Sequence, residues 1–320
     1  MRTTLLATAI SAALALTACS PSVTTDSASK TDATQTMAVK QTMNVLLEKS
    51  PLDFQAPQFD KIQMSDYEPA FKQGMEEQAA EITAIANNPE PATFDNTLVA
   101  MEKTGRLLHR VSNVFFSLSG VISNDEYQRI EAELAPKLAA HSDNIYLNKP
   151  LFSRVETIYA NKAELNAEDQ RLVDYYYSEF VRAGAKLNDA QKNTMRDINE
   201  QISSLQTEFS QNLLASFKND VILVNDKAKL SGLSEADIDG LAEAAKGADK
   251  DGYMITLVNT TRQPILSSLA NRELRQQIWQ ASATRAMDTN GPVLLKLVQL
   301  RAQKASLLGC PNWASYATED

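Results

Sequence analysis

Asn188–Asn219 reads NDAQKNTMRDINEQISSLQTEFSQNLLASFKN, and this stretch decides the fold class. Met195, Ile198, Ile202, Leu205, Phe209, Leu213 and Phe217 recur at steps of three or four, which lines apolar side chains along one side of an α-helix. At ~1.5 Å per residue such a helix is on the order of 45 Å long. A helix of that length with one narrow apolar seam needs a partner helix along it, so the chain is expected to be a helical bundle.

The segments on either side agree. Ser65-Asp66-Tyr67-Glu68 has the capping-box pattern and leads into Phe71, Met75, Ala79, Ile82 and Ile85, until Asn87-Asn88-Pro89 stops the helix. Thr93 caps a second apolar stripe through Leu98, Met101, Leu108, Val111, Phe115 and Leu118. Asn124-Asp125 opens a third helix, expected to be interrupted at Pro136, and 151–160 and 167–183 read as two more. After the long helix the period changes. Residues 221–224 and 253–258 are short β-branched runs, with a short helix over 234–246 between them. Helix returns over 264–269, 272–286 and 292–308, where Gly309 and Pro311 stop it. The expected fold is mainly α with a small β insertion.

Residues 1–19 read as an export device. Arg2 is a short positive start, residues 5–16 are apolar apart from Thr8 and Ser11, and Leu16-Thr17-Ala18-Cys19 closes the run. The run is too short to span a bilayer, which takes about 20 apolar residues, and suits a signal peptide over 1–18. Leu-Thr-Ala-Cys resembles the bacterial lipobox, which implies lipidation at Cys19. The other reading is an ordinary signal peptide in which Cys19 is incidental. Ser20 supplies no Asp-type retention signal, so the expected place is the outer membrane, with the body facing the periplasm. Residues 19–40, rich in Ser, Thr, Ala and Asp, read as a flexible tether, leaving 41–320 as the folded part.

The formal charge is −9, and removing Arg2 with the signal peptide takes it one further, to −10. That disfavours nucleic acid or an anionic membrane surface as a partner, since both need a basic face. Of the two cysteines, Cys310 alone remains once Cys19 is lipidated, so no intrachain disulfide staples the fold.

The residues that carry chemistry elsewhere do not assemble on paper. A helix-borne zinc site needs two histidines at i and i+4. The only two here, His109 and His141, stand 32 positions apart. His141-Ser142-Asp143 holds triad residue types, but neighbours on a helix point apart. Glu131/Glu133 and Asp125/Glu126 are pairs that a carboxylate-rich chain makes by chance. Tyr175-Tyr176-Tyr177 faces three directions of one helix, and Cys310 beside Pro311 reads as a small packed residue. No catalytic residue and no metal ligand is assigned.

Several strings, in order, resemble the bacterial peptidyl-dipeptidases of the Dcp type and oligopeptidase A, zinc peptidases of the thimet-oligopeptidase family. They are Phe59-Asp60-Lys61-Ile62, Tyr67-Glu68-Pro69-Ala70-Phe71, Ile85-Ala86-Asn87-Asn88-Pro89, Thr93-Phe94-Asp95-Asn96-Thr97, Phe180-Val181-Arg182-Ala183-Gly184-Ala185, Thr261-Arg262-Gln263-Pro264 and Leu300-Arg301-Ala302-Gln303-Lys304-Ala305-Ser306-Leu307-Leu308-Gly309. The resemblance implies a helical enzyme with a deep channel between two halves, releasing dipeptides from the C-termini of oligopeptides. It implies zinc held by His-Glu-x-x-His and a later Glu. No His-Glu-x-x-His occurs in these 320 residues, so no ligand or base transfers to any position here.

Two functions are therefore expected to compete. One is the N-terminal part of a zinc peptidyl-dipeptidase, inactive without its C-terminal half, with residues 313–320 starting a helix-like segment that stops without a cap. The other is a non-catalytic lipoprotein serving as a scaffold or peptide-binding module.

Overall fold

A computed structural model describes residues 43–122 and 124–319; the expected signal peptide (1–18), Cys19 and the tether (19–40) lie outside them. The body from Asn44 onward is built from α1 (Met64–Ala86), α2 (Ala100–Glu102), α3 (Arg106–Ser119), α4 (Asp125–Tyr146), α5 (Lys149–Ala160), α6 (Ala167–Ala183) and α7 (Asp189–Asn219). There follow β1 (Val221–Val224), α8 (Glu235–Gly247), β2 (Tyr253–Thr256), α9 (Asn259–Ser268), α10 (Arg272–Ala283), α11 (Met287–Leu307) and α12 (Trp313–Ala317). The fold is mainly α with a small β insertion. In it β1 and β2 pair antiparallel, with Val221 opposite Thr256 and Val224 opposite Tyr253.

Asparagine starts many of these helices. The side chains of Asn124, Asn148, Asn166, Asn188, Asn271 and Asn312 each accept a backbone N–H from the first turn that follows. Each satisfies a donor that the helix geometry leaves orphaned. Asn312 does this for α12, so the final segment does begin with a cap.

Several boundaries differ from expectation, each for a local reason. The capping box of α1 is Gln63 with Asp66, whose Oδ2 accepts the Gln63 N–H at 2.9 Å, and Ser65 falls inside the helix. The second stripe is broken at Gly105, which takes φ +66° and ends α2 before α3 begins. Pro136 does not interrupt α4. It forfeits one backbone bond, and the buried Ile130 and Leu134 before it hold the helix together. Residues 272–286 do not form one helix. α10 stops at Ala283, and Ala286 turns left-handed at φ 50° to start α11 five residues earlier than Pro292. α9 likewise starts at Asn259 and carries Pro264 inside it, and β2 ends at Thr256 rather than 258.

Three apolar cores result. Tyr67, Phe71, Phe115 and Tyr127 centre one of them, with Tyr67 and Phe71 edge-on to Phe115 at 5.0 and 5.5 Å. A second gathers Ile82, Leu98, Leu151, Val155, Val173 and Phe180 from α1 to α6. The third, with Leu230, Ile255, Leu257 and Ile278, lies wholly within the β insertion and its helices. α7 packs along α4 on one side and α11 on the other. Its seam is only half-buried in the middle: Ile202, Leu205, Phe209, Leu213 and Phe217 all keep partial exposure. α11 leaves Leu294, Leu295 and Val298 in solvent.

A buried arginine organises the loop between α1 and α2. Arg154 Nη1 donates to the Asn88 and Glu90 carbonyls at 2.9 and 3.0 Å, Nη2 to Asn96 Oδ1 at 2.7 Å, and Nε to Thr97 Oγ1 at 3.2 Å. Two of the strings that carry the family resemblance are thus tied by one guanidinium. Arg154→Met should lower the unfolding free energy by about 3–5 kcal/mol in urea titration, because it strips a buried charge from acceptors left inside. Glycine substitutions should split by site. A Cβ on Gly74 would stand 2.8 Å from Leu108 Cα, whereas one on Gly240 meets nothing within 4 Å. Gly74→Ala should destabilise by roughly 1–3 kcal/mol, and Gly240→Ala should stabilise by about 0.4–1 kcal/mol.

Candidate functional site

Residues 135–146 of α4 form a wall between two clefts. The first, about 610 Å³, is lined from α4, α6, α7, α11 and α12 by Asp143, Glu179, Arg182, Asn199, Lys304 and Tyr316 among others. Asn199 Nδ2 donates to Asp143 Oδ1 at 2.7 Å, and Lys304 Nζ donates to Asn199 Oδ1 at 2.8 Å. One amide thus joins an acid on α4 to a base on α11. Burial pushes the Asp143 carboxyl up, against the Asn199 hydrogen bond and the charges of Lys304 and Arg196. Burial also pulls the Lys304 ammonium down, with Asp143 opposing it. Asp143 Oδ2 is enclosed and, among the described residues, has no hydrogen-bond partner. Arg182 closes the outer end, donating from Nη2 to the Tyr316 carbonyl at 3.0 Å.

The second cleft, about 550 Å³, collects both histidines with Gln78, Glu102, Arg106, Tyr146 and Tyr176. His141 Nε2 lies 2.7 Å from Gln78 Oε1, which makes that nitrogen the donor. Gln78 Nε2 donates in turn to Thr104 Oγ1 at 3.3 Å, and Thr104 to the Met101 carbonyl at 2.8 Å. His109 turns to Asn113, 3.4 Å away. Tyr176 donates to Glu102 Oε1 at 2.6 Å, and burial followed by that bond raises its phenol well above the ordinary value.

The sequence-stretch candidates separate accordingly. His141 and Asp143 face different clefts and share no bond, so His141-Ser142-Asp143 is no triad. Glu126 and Glu133 both pair with Arg129, at 2.8 and 2.6 Å, and Glu68 joins them at 3.0 Å. These are surface ion pairs of small energetic weight. Tyr175 is exposed, Tyr176 points inward, and Tyr177 stacks on Tyr159 at 3.7 Å. Cys310 is half-buried and free. Among the described residues no cluster of three or more His, Cys, Asp or Glu could hold a metal ion. The two histidines are committed to Gln78 and Asn113, so this donor set does not fit a zinc centre, which takes three protein ligands.

Sequence reading missed Arg154, Asn199 and Lys304. A signal for Lys304 was present. It continues the Val293, Leu297, Leu300 spacing, the buried side of α11, so a lysine there has to find a partner inside.

No family model matches the chain. It is 42% identical over 287 residues to the dipeptidyl carboxypeptidase of Escherichia coli (strain K12), an alignment covering 87% of this chain and 42% of that protein. The same enzyme of Salmonella typhimurium is 40% identical over 286 residues, with the same two coverages. Oligopeptidase A of Escherichia coli is 24% identical over 271 residues, covering 82% of this chain and 40% of its own length. Over most of its length the chain is thus similar to dipeptidyl carboxypeptidases and, more distantly, to oligopeptidase A. It spans about two fifths of the length of these relatives.

The second cleft generates a pH prediction. Burial holds the His141 imidazole below its ordinary value of 6.5. The unfolded chain then binds a proton that the folded one refuses, so stability falls as pH drops from 6.5 through the lowered folded value. His141→Gln keeps a donor for Gln78 and removes the titration. Its urea midpoint should fall less between about pH 7 and about pH 5 than the parent's. An equal fall would remove His141 from the account.

Proposed function

We propose that this chain supplies the helical wall of a peptidyl-dipeptidase channel and is inactive by itself. The carrying observation is the 42% identity to dipeptidyl carboxypeptidase over most of this chain but 42% of that enzyme. In this reading the substrates are oligopeptides, from which dipeptides leave the C-terminus. Zinc chemistry belongs to residues outside these 320, since they contain no His-Glu-x-x-His and two histidines held in other bonds. Zinc would supply a polarised water for peptide hydrolysis. The residues described here would bind and orient the peptide.

The partner that completes the wall is the C-terminal half of the same enzyme. The half-buried seam of α7 and the exposed Leu294, Leu295 and Val298 of α11 support this, as apolar helix surface that further protein could cover. Export and lipidation at Cys19 would hold the protein on the outer membrane, facing the periplasm. The support is the Leu16-Thr17-Ala18-Cys19 string after its short apolar run.

The purified chain, supplied with zinc, should release no dipeptide from an oligopeptide with a blocked amino terminus. Cleavage that a chelator abolishes would overturn the inactive-wall reading in favour of a metal site within these residues. In cells, Cys19→Ala should abolish incorporation of labelled fatty acid and leave an unprocessed precursor. Normal cleavage with release of soluble protein would instead mark 1–18 as an ordinary signal peptide.

A further inference from the structure

The loop before α1 is anchored at both ends and apolar at its tip. At its start, Leu46 is buried in the aromatic core. Arg110 Nη2 there donates to the Leu46 and Leu47 carbonyls at 3.1 Å each. Asn44 Nδ2 donates to the Asp66 carbonyl at 2.8 Å, and at the far end Gln63 is held by Asp66. Between these anchors the chain projects Leu52, Phe54 and Phe59, which are 48%, 104% and 56% exposed.

Phe54 is not thrown out by a loose chain. Two successive non-glycine residues, Phe54 and Gln55, take left-handed φ values of 56° and 57°. The turn is closed by Gln55 N–H to the Leu52 carbonyl at 2.9 Å and Ala56 N–H to the Asp53 carbonyl at 3.1 Å. Left-handed backbone is unfavourable for side chains of this kind, and here it presents a phenyl ring wholly to water. Both features favour the folded chain only if something apolar receives the ring.

We propose that this tip inserts into the interface of the membrane that carries the protein's lipid anchor, an inference that rests on the anchoring reading above. Residues 20–43 separate Cys19 from the body, so Asn44 stays within on the order of 85 Å of an anchored Cys19 even at full extension. The projecting loop begins only a few residues beyond Asn44. Its charges, Glu48, Lys49, Asp53, Asp60 and Lys61, include no basic excess, and the whole chain is at −9. Attraction to anionic headgroups therefore contributes nothing, and the contact is made by phenyl and leucyl side chains seated at the headgroup–acyl boundary. Burial of three side chains is too little to hold a protein alone. It adds to a lipid chain and fixes which face of the body meets the bilayer.

The test couples the mature chain, Cys19 to Asp320, through the Cys19 thiol to a maleimide lipid, with Cys310→Ser preventing a second attachment. Vesicles of phosphatidylethanolamine and phosphatidylglycerol, with or without bromine on the acyl chains, then receive the parent and a Phe54→Trp variant. The added indole should shift to the blue on vesicles and lose emission to the brominated chains, beyond any change of Trp279 and Trp313 in the parent. Adding Leu52→Asp and Phe59→Asp to that variant should abolish both effects. If the indole at 54 emits as in free solution while the chain sits on vesicles, the proposal is overturned, and a protein partner becomes the occupant to seek. Because coupling is chemical, a failure of fatty-acid incorporation at Cys19 in cells would refute the natural anchor without imitating either vesicle result.

Discussion

One amide joins three of the long helices. Asn199, on the inner side of α7, donates to Asp143 on α4 and accepts from Lys304 on α11. An ion pair placed directly between α4 and α11 would need the two helices in contact, and α7 lies between them. The neutral amide relays between acid and base without adding a charge, so two desolvated charged groups tolerate a site that penalises each. Breaking any member leaves a buried polar group unsatisfied. The register of α4, α7 and α11 is therefore set by polar chemistry where the apolar seam alone would allow sliding by a turn.

The rest of the bundle follows from that register. With α4 fixed, its 135–146 stretch divides the interior into a cleft holding the Asp143–Asn199–Lys304 relay and a cleft holding both histidines. The close passage of α1 over α3 at Gly74 and the guanidinium of Arg154 fix the other helices from the opposite side. The β insertion takes no part in this. Its core is its own, and Arg285 links it to the bundle through the Leu257 carbonyl and the face of Phe217, 3.8 Å away.

How much of this was legible depended on the range of the interaction. Helices whose apolar spacing and caps are local, such as α6, α7 and α8, stand where their residues place them. The break at Gly105 was missed because the apolar period continues across it, and only the close approach of Gln78 to Gly105 forces the stop. The break between α10 and α11 was read but set too late, because the left-handed turn at Ala286 starts α11 at Met287. Pro136 misled for the opposite reason, since a local penalty was outweighed by packing on both sides of α4. The relay was invisible because Asp143, Asn199 and Lys304 come from three distant segments, and only Lys304 carried a local signal. The strings that carried the resemblance were legible as strings. In the structure Tyr67, Phe71, Asn96, Phe180 and Lys304 are core, loop or relay residues, so the family signal lies in what folds the wall.

The bundle leaves apolar helix surface uncovered. Leu294, Leu295 and Val298 on α11 stand in solvent and the seam of α7 is half-buried, apolar surface suited to contact with more protein. Sedimentation velocity of the chain from Ser20 onward, run over a range of concentrations beside a Leu295→Lys, Val298→Lys variant, measures this directly. The account predicts concentration-dependent association of the parent and a monomeric variant. A parent that sediments as a monomer at every concentration, indistinguishable from the variant, would contradict it.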